Sequence, residues 1–508
     1  MAGEEYELKF RLSPDTGRLL AEGLALGPPR RLDAVYFDTP SLALREAGWS
    51  LRLREEGGRL VQTAKAAALG AGVFGRTELE AVVSGPAPEL TAPDFLPLAR
   101  LIGEKPLAAA FRVRVERRKA VVTRDGARIE VACDVGEIEA AGRIEPLSEL
   151  ELELKAGAPA ALFALAGELM TVAPLELAFD SKAERGYRLL GAEPPVPALE
   201  GLTAGQLLSL SVREGLAAVQ ENAATFLRSP EADALHRTRV ALRRLRSLLA
   251  AFRPVAGDAQ GEALRGALRE VAAGLNAARD LDVMAETLAE ALAGAEPEAS
   301  AEPGTAALSR ALEARRKAAY ARAIGTLGSE RRRRLALDLA AWAELGAWTQ
   351  DPHRAELRDQ LATTFAAAVL GRLRRKLKRA AVGLSGLDDE ARHEARIRAK
   401  TLRYAADAFG PLFPDHDKRR RRFMRALKDL QEALGALNDQ AVGRALALEV
   451  AADGGVEAAF AAGRLSARRE RETAPLLRAA ERACRALLAV KPFWEGAEGA
   501  DAAATPAT

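Results

Sequence analysis

The sequence predicts an α+β protein built in two parts, a strand-rich antiparallel part followed by an all-helical one. Three observations predict it. Over residues 1–190, short runs alternate between charged and apolar side chains, the period of a β-strand with one apolar face. Pro194-Pro195-Val196-Pro197 then forms a stiff connector. Beyond it Ala, Leu, Arg and Glu recur at helical spacing, and strand patterns stop. The predicted divisions are a strand domain over 1–190, a Pro-rich linker over 191–200, a helical domain over 201–490 and a disordered Ala/Gly-rich tail over 491–508.

The first strand, Glu5-Tyr6-Glu7-Leu8-Lys9, sets the theme of the first part. Glu5, Glu7, Lys9 and Arg11 share one face, and Tyr6, Leu8 and Phe10 the other. The pattern returns in Glu149-Leu150-Glu151-Leu152-Glu153-Leu154-Lys155. Between them Val35–Asp38, Ser50–Arg54, Leu60–Lys65, Arg76–Glu80, Phe111–Val122 and Ile129–Val135 also alternate, with turn signals at Gly57-Gly58 and Arg124-Asp125-Gly126. Any single polar face reads most simply as a solvated surface. Repeated over most strands, with acids gathered on the two terminal ones, the pattern fits better a closed barrel lined by Glu, Arg and Lys. Two such strands facing one cavity would hold a divalent cation between carboxylates, with ammonium and guanidinium groups ready for phosphate. Arg112 and Arg114 lie on the face opposite Arg117 and are read as solvated. Asp134 is read equally as a turn cap before Gly136 and as a lining residue.

Bulk composition excludes several classes. Apolar content of 48% and charged content of 29% are those of an ordinary globular protein. Two cysteines, Cys133 and Cys484, argue against a disulfide framework and fit a reducing compartment. No basic-then-apolar leader pattern and no apolar run of membrane-spanning length occur, so the expected location is cytoplasmic, with no membrane partner. The net charge of +3 conceals an uneven split: 25 Lys and Arg against 29 Asp and Glu in residues 1–190, and 49 against 42 in the remainder. The basic excess of the second part is modest for its length, and no nucleic-acid motif stands out, which argues against a nucleic-acid partner.

Over residues 4–190 the chain resembles the CYTH superfamily of triphosphate tunnel enzymes. The resemblance rests on Glu5-Tyr-Glu7-Leu-Lys9, Tyr36-Phe-Asp-Thr39, Leu51-Arg52-Leu-Arg54, Thr63-Ala-Lys65, Asp134-Val-Gly136, Ser148–Glu153 and Ser181-Lys182-Ala-Glu-Arg185-Gly186-Tyr187, in that order. It implies an eight-stranded tunnel that acts on a triphosphate with Mg²⁺ or Mn²⁺. Catalysis would then fall to Glu5, Glu7, Lys9, Glu151 and Glu153. Lys9, Arg52, Arg54, Lys65, Arg117, Lys119 and Lys182 would neutralise phosphate oxygens. Glu5, Glu7, Glu149, Glu151, Glu153 and Asp134 are the candidate metal ligands; Glu149 ranks below its two neighbours because the tunnel mouth is its alternative place.

The helical part carries an internal duplication, in halves of about 201–300 and 355–450. His236-Arg-Thr-Arg239-Val-Ala-Leu-Arg243-Arg-Leu-Arg246 aligns without gaps with His393-Glu-Ala-Arg396-Ile-Arg-Ala-Lys400-Thr-Leu-Arg403. The shared positions i, i+3, i+7 and i+10 form one helix stripe of about 15 Å. Leu275–Asp280 and Leu434–Asp439 repeat a second, shorter piece downstream. Like charges along a stripe repel, a cost offset if a polyanion lies on them; twofold repetition favours that ligand over a solvated basic face. This part resembles the CHAD domain, at both His-x-x-Arg helices, at Ala278–Val283 and at Leu427–Asp439, and the resemblance implies binding of inorganic polyphosphate. The candidate polyphosphate residues are His236, Arg239, Arg243, Arg246, His393, Arg396, Lys400, Arg403 and Lys428.

The order CYTH then CHAD looks like the bacterial inorganic triphosphatases. The expected activity is metal-dependent hydrolysis of tripolyphosphate to pyrophosphate and phosphate, with polyphosphate bound by the helical part. The alternatives are a tunnel acting on thiamine triphosphate, a nucleoside triphosphate or ATP cyclised to cyclic AMP, and a non-catalytic polyphosphate-binding protein. Aromatic content of only 5% leaves no obvious seat for a base.

Overall fold

The computed structural model describes residues 3–67, 75–193, 199–293, 303–470 and 473–496. The predicted connector at Pro194–Pro197 and the tail from residue 497 lie outside them. The strands are β1 (Gly3–Arg11), β2 (Arg30–Asp38), β3 (Trp49–Glu56), β4 (Arg59–Ala67), β5 (Gly75–Val83), β6 (Ala108–Arg124), β7 (Ala127–Ala140), β8 (Arg143–Ala156) and β9 (Glu176–Ala178). Helices α1 (Pro14–Gly23), α2 (Ala43–Glu46), α3 (Leu96–Ile102), α4 (Pro159–Val172) and α5 (Lys182–Leu189) surround or cap them. The helical part comprises α6 (Ala204–Arg228), α7 (Ala232–Ala251), α8 (Arg253–Ala256), α9 (Ala259–Ala273), α10 (Asn276–Ala293) and α11 (Pro303–Gly328). It continues through α12 (Glu330–Leu345), α13 (Ala355–Asp359), α14 (Ala362–Ala380), α15 (Asp389–Phe409), α16 (Asp417–Glu470) and α17 (Thr473–Ala489).

Eight strands close into an antiparallel barrel in the order β1-β5-β4-β3-β2-β6-β7-β8, with β8 returning to β1. The short β9 adds a ninth strand, pairing with β1 over Lys9–Arg11. Register puts Lys9 opposite Glu151 and Asp134 opposite both Glu149 and Arg117, so the charged faces meet. The hairpins β6–β7 and β7–β8 turn at Asp125-Gly126 and Ala141-Gly142, all four residues with positive φ, which matches the right-handed twist of the strands. Outside the barrel Leu8, Phe10, Leu150 and Leu152 are fully buried. On the other side Phe37, Leu51, Leu53 and Leu79 pack with Phe95, Leu98 and Ile102 of the α3 region.

One end of the barrel interior is apolar and closed by α5. Phe111, Val113 and Val115 share the β6 face that carries Arg117, yet they pack with Tyr36, Ile138 and Leu147 and with Ala183 and Tyr187 of α5. The rings of Tyr36 and Phe111 stack at 4.5 Å, and Tyr187 meets Phe111 edge-on at 5.0 Å. The Tyr187 hydroxyl donates to Asp38 at 2.8 Å, whose carboxylate also accepts from the backbone N–H groups of Leu44 and Arg45 at the start of α2. Gly186 lets α5 approach this closely: a Cβ there would lie 2.3 Å from the Phe111 ring. Gly186→Ala is therefore expected to cost about 1–3 kcal/mol by overpacking, read as a lower urea midpoint at unchanged m-value.

The described residues fall into two compact units, one within 1–198 and 330–346, the other within 199–329 and 347–508. Helix α12 was expected in the helical domain but belongs to the first unit. Arg332 pairs with Glu176 of β9, the Arg334 guanidinium lies against Gly167 of α4, and Tyr6 of β1 donates to Glu344 at 3.3 Å. Helical periodicity tells which face is apolar and not which core receives it.

In the second unit the two halves meet through corresponding residues. Ala204 N–H donates to Gln360 O at 2.9 Å and Ala362 N–H to Leu202 O at 2.8 Å, a reciprocal pair joining the N-termini of α6 and α14. Phe252 and Phe409, which follow α7 and end α15, meet edge-on at 5.7 Å, and Phe252 stacks on Phe365 at 5.0 Å. The unit also runs past residue 490, where the disordered tail was placed. Phe493 and Trp494 are buried against Phe423, because two large rings gain more from burial than the short segment loses on ordering. Among the described residues no helix is long and apolar enough to cross a membrane.

Candidate functional site

Seven of the predicted tunnel residues converge at mid-barrel. Lys9 donates to Glu151 at 2.7 Å and pairs with Glu7 at 2.6 Å. Arg117 makes a two-pronged contact with Asp134, 2.7 and 2.6 Å, and reaches Glu151 at 2.5 Å. Lys182, the first residue of α5, lies 2.8 Å from Asp134 and 2.8 Å from Glu151 and also pairs with Glu149. The capping box of Ser181 and Glu184 fixes the helix start and hence the lysine.

The surroundings push the titrations apart. Burial alone would raise the Glu151 carboxyl, but Lys182, Lys9 and Arg117 hold it well below the usual range. Asp134 is likewise lowered, burial being outweighed by Lys182 and Arg117. Glu149 is raised, by burial first and then by the Glu151 charge. Lys9 and Lys182 are raised because their carboxylate partners overcome the desolvation of the ammonium. The surroundings thus favour the ionised form of Asp134 and Glu151 and disfavour that of Glu149.

Carboxylate oxygens of Asp134, Glu149 and Glu151 all lie within 4.8 Å of one another. These are hard oxygen donors, and the Lys182 ammonium among them shows the spot to be one a cation favours. The set fits a divalent ion such as Mg²⁺ or Mn²⁺.

The other predicted residues are placed differently. Arg52 and Arg54 lie close enough to Arg117 to feel its charge, and Arg54 Nε donates to Glu56 at 2.6 Å. Lys65 pairs with Glu78 at 3.0 Å. Lys119 is exposed and faces Glu130 at 2.9 Å, while the half-buried Glu153 lies opposite Glu7 in register and pairs with Lys155 at 2.5 Å. Alternation fixes the face and not the depth, and two residues along a strand is about 7 Å. Glu149, ranked low at sequence level, is instead at the centre with only 2% exposure. The Glu5 side chain lies outside the described residues. Arg185 was not proposed; it is buried, donates to Glu145 at 2.6 Å and lies 3.6 Å from Glu149. Its signal was the Ser-Lys-x-x-Arg spacing that puts it one turn after Lys182.

The second unit holds a cavity of about 360 Å³. His236, Arg239 and Arg243 enter it from α7, and His393, Arg396 and Lys400 from α15. Asn276, Arg279 and Asp280 of α10 and Asn438, Asp439 and Arg444 of α16 complete the polar lining. The downstream repeats read from the sequence were the signal for these last two helices. Arg239 donates to Asn276 at 2.5 Å, and His393 Nδ1 lies 2.6 Å from the Asn438 carbonyl oxygen. Arg396 Nε is buried with no hydrogen-bond partner. Arg246, Arg403 and Lys428 do not line the cavity. Arg246 neighbours Arg265 and Arg269, Arg403 donates to Gln431 at 2.8 Å, and Lys428 lies exposed beside Glu432. The i+10 position carries the stripe past the end of the cavity.

The CYTH domain family model matches residues 3–187 and the CHAD domain model residues 211–448. The chain joins a CYTH domain to a CHAD domain. An uncharacterized protein of Mycobacterium tuberculosis is 28% identical over 441 residues, spanning 80% of this chain and 82% of that one. An inorganic triphosphatase of Haemophilus influenzae is 31% identical over 201 residues, 37% of this chain and 56% of the relative. The crystal structure of the CHAD domain from the plant Ricinus communis superposes with a TM-score of 0.48 at 28% identity, covering 58% of this chain and 97% of that one. The CYTH part is thus related to a triphosphatase, and hydrolase chemistry is its coarse assignment.

Proposed function

We propose that the CYTH barrel hydrolyses tripolyphosphate to pyrophosphate and phosphate, and that the CHAD cavity binds inorganic polyphosphate. The observation that carries the first half is the meeting of Lys9, Arg117 and Lys182 with Asp134, Glu149 and Glu151 inside a closed barrel. Asp134, Glu149 and Glu151 would hold Mg²⁺ or Mn²⁺, which supplies positive charge to polarise the scissile phosphoanhydride. Lys9, Arg117 and Lys182 neutralise phosphoryl oxygens, and Arg52 and Arg54 orient the remainder of the chain. The attacking water would lose its proton to a carboxylate of this group. The interior-facing rings of Tyr36, Phe111 and Tyr187 pack on one another, which favours an inorganic chain over a nucleotide needing a base seat.

The cavity's unpartnered Arg396 Nε and its five arginines support the second half. Paired Arg239→Ala and Arg396→Ala substitutions are expected to weaken polyphosphate binding at least ~10-fold and to leave tripolyphosphate turnover unchanged. Binding by fluorescence anisotropy alongside phosphate release checks both; unaltered binding would remove the cavity from the proposal.

A further inference from the structure

The two stripes of the cavity differ at one shared position. Where the first copy has Arg243, the second has Lys400. An arginine stays charged at every accessible pH, whereas a lysine placed among other cations does not. Arg243 is also fixed, its Nε donating to the Tyr404 hydroxyl at 2.8 Å. Lys400 makes no hydrogen bond or ion pair among the described residues.

Its neighbours come from every element around the cavity. From α7, Arg243 and Arg239 repel it, with His236 beyond. On its own helix Arg396 repels it, and His393 lies a further turn away. Asp439 of α16 attracts it, flanked by Arg444; α10 presents Arg279 and Asp280. Helix α14, also packed on α15, contributes no lining residue. Burial, then Arg243 and Arg396, bring the Lys400 ammonium down to about 7.

Resting on the reading of this cavity as a polyanion site, we propose that Lys400 makes binding proton-linked: the side chain takes up a proton as the anion docks, and affinity falls as pH rises above neutrality. The sign follows from linkage. A bound polyanion stabilises the ammonium, so the complex holds more protons than the free protein, and raising pH favours release. His236 titrates lower, its burial and the Arg279, Arg243 and Arg239 charges disfavouring the imidazolium, so its contribution is confined to the acid side. Terminal phosphates of the ligand ionise with the opposite sign, strengthening binding as pH rises.

The test is calorimetry of inorganic polyphosphate of defined length binding to the full-length chain at pH 6 to 9 and constant ionic strength. Two buffers of different ionisation enthalpy report the protons exchanged. The expected result is proton uptake near pH 8 and a Kd that rises with pH by up to about tenfold per unit. Lys400→Arg, which keeps the charge, should abolish both the uptake and the rise. Lys400→Met should bind more weakly at pH 6 and be equally insensitive to pH above 7. A Lys400→Arg protein that retains the wild-type slope, or wild-type binding without proton uptake, overturns the proposal and leaves the cavity as a polyphosphate site. Absence of wild-type binding at every pH overturns the underlying reading as well.

Discussion

Glu151→Gln is expected to reduce tripolyphosphate turnover at least ~100-fold and to lower stability by about 3 kcal/mol. Glu151 is touched by Lys9, Arg117 and Lys182 together. Removing its charge leaves three buried cations short of a partner, and removing one member of a buried ion network costs far more than a surface pair is worth. Glu149→Gln should behave differently. Burial raises its carboxyl, so replacing it by a neutral amide costs the fold less than at Glu151, and stability should fall less while turnover falls. The pH dependence separates the two. Glu151 is depressed in the folded state, so its contribution is complete above the ordinary carboxylate range and is lost as pH falls through its lowered value. Glu149 is raised, so its ionisation subtracts stability as pH rises past the ordinary carboxylate value. Steady-state phosphate release with urea unfolding at pH 4 to 8 checks both; equal destabilisation by the two substitutions would contradict the division of roles.

Phe252→Ala should destabilise the CHAD unit by about 3–5 kcal/mol. The ring is 1% exposed, stacked on Phe365 and met edge-on by its counterpart Phe409, so truncation opens a cavity where the two halves join. Unlike an outer-helix substitution, this one should loosen both halves at once. Hydrogen exchange read by peptide should show α7 and α15 losing protection together, with the barrel strands unaffected. Loss confined to α7 would mean that the halves are not one cooperative core.

Much of this was legible in the sequence, for reasons particular residues make clear. Alternation in Glu5–Lys9 and Glu149–Lys155 is a direct consequence of pleating, and it gave the facing charged strands because charge in a barrel interior has no cheaper explanation. Depth was not legible. Glu149 and Glu153 share a face, yet the first sits against Lys182 and the second against Lys155, a difference set by where α5 closes the barrel. Nor does a charged strand announce that Phe111, four residues after Leu107 and six before Arg117, turns the same interior apolar. In the CHAD part, the gapless match of two stripes displayed six of the cavity's basic and histidine side chains because one helix face is read directly from i, i+3 and i+7. Arg279 and Arg444 come from other helices and needed the packing to be seen. Helix α12 carried no local sign of its partner at all; ties such as those from Arg332, Arg334 and Glu344 reveal it.

The measurement that bears most directly on the proposed activity is phosphate release from tripolyphosphate by the full-length protein, with Mg²⁺, Mn²⁺ or EDTA, beside ATP, thiamine triphosphate and long-chain polyphosphate. The expected result is release that requires the metal, is fastest on tripolyphosphate, yields pyrophosphate and phosphate in equal amounts, and is lost in Glu151→Gln. Metal-independent release, or faster turnover of ATP or thiamine triphosphate than of tripolyphosphate, would contradict it.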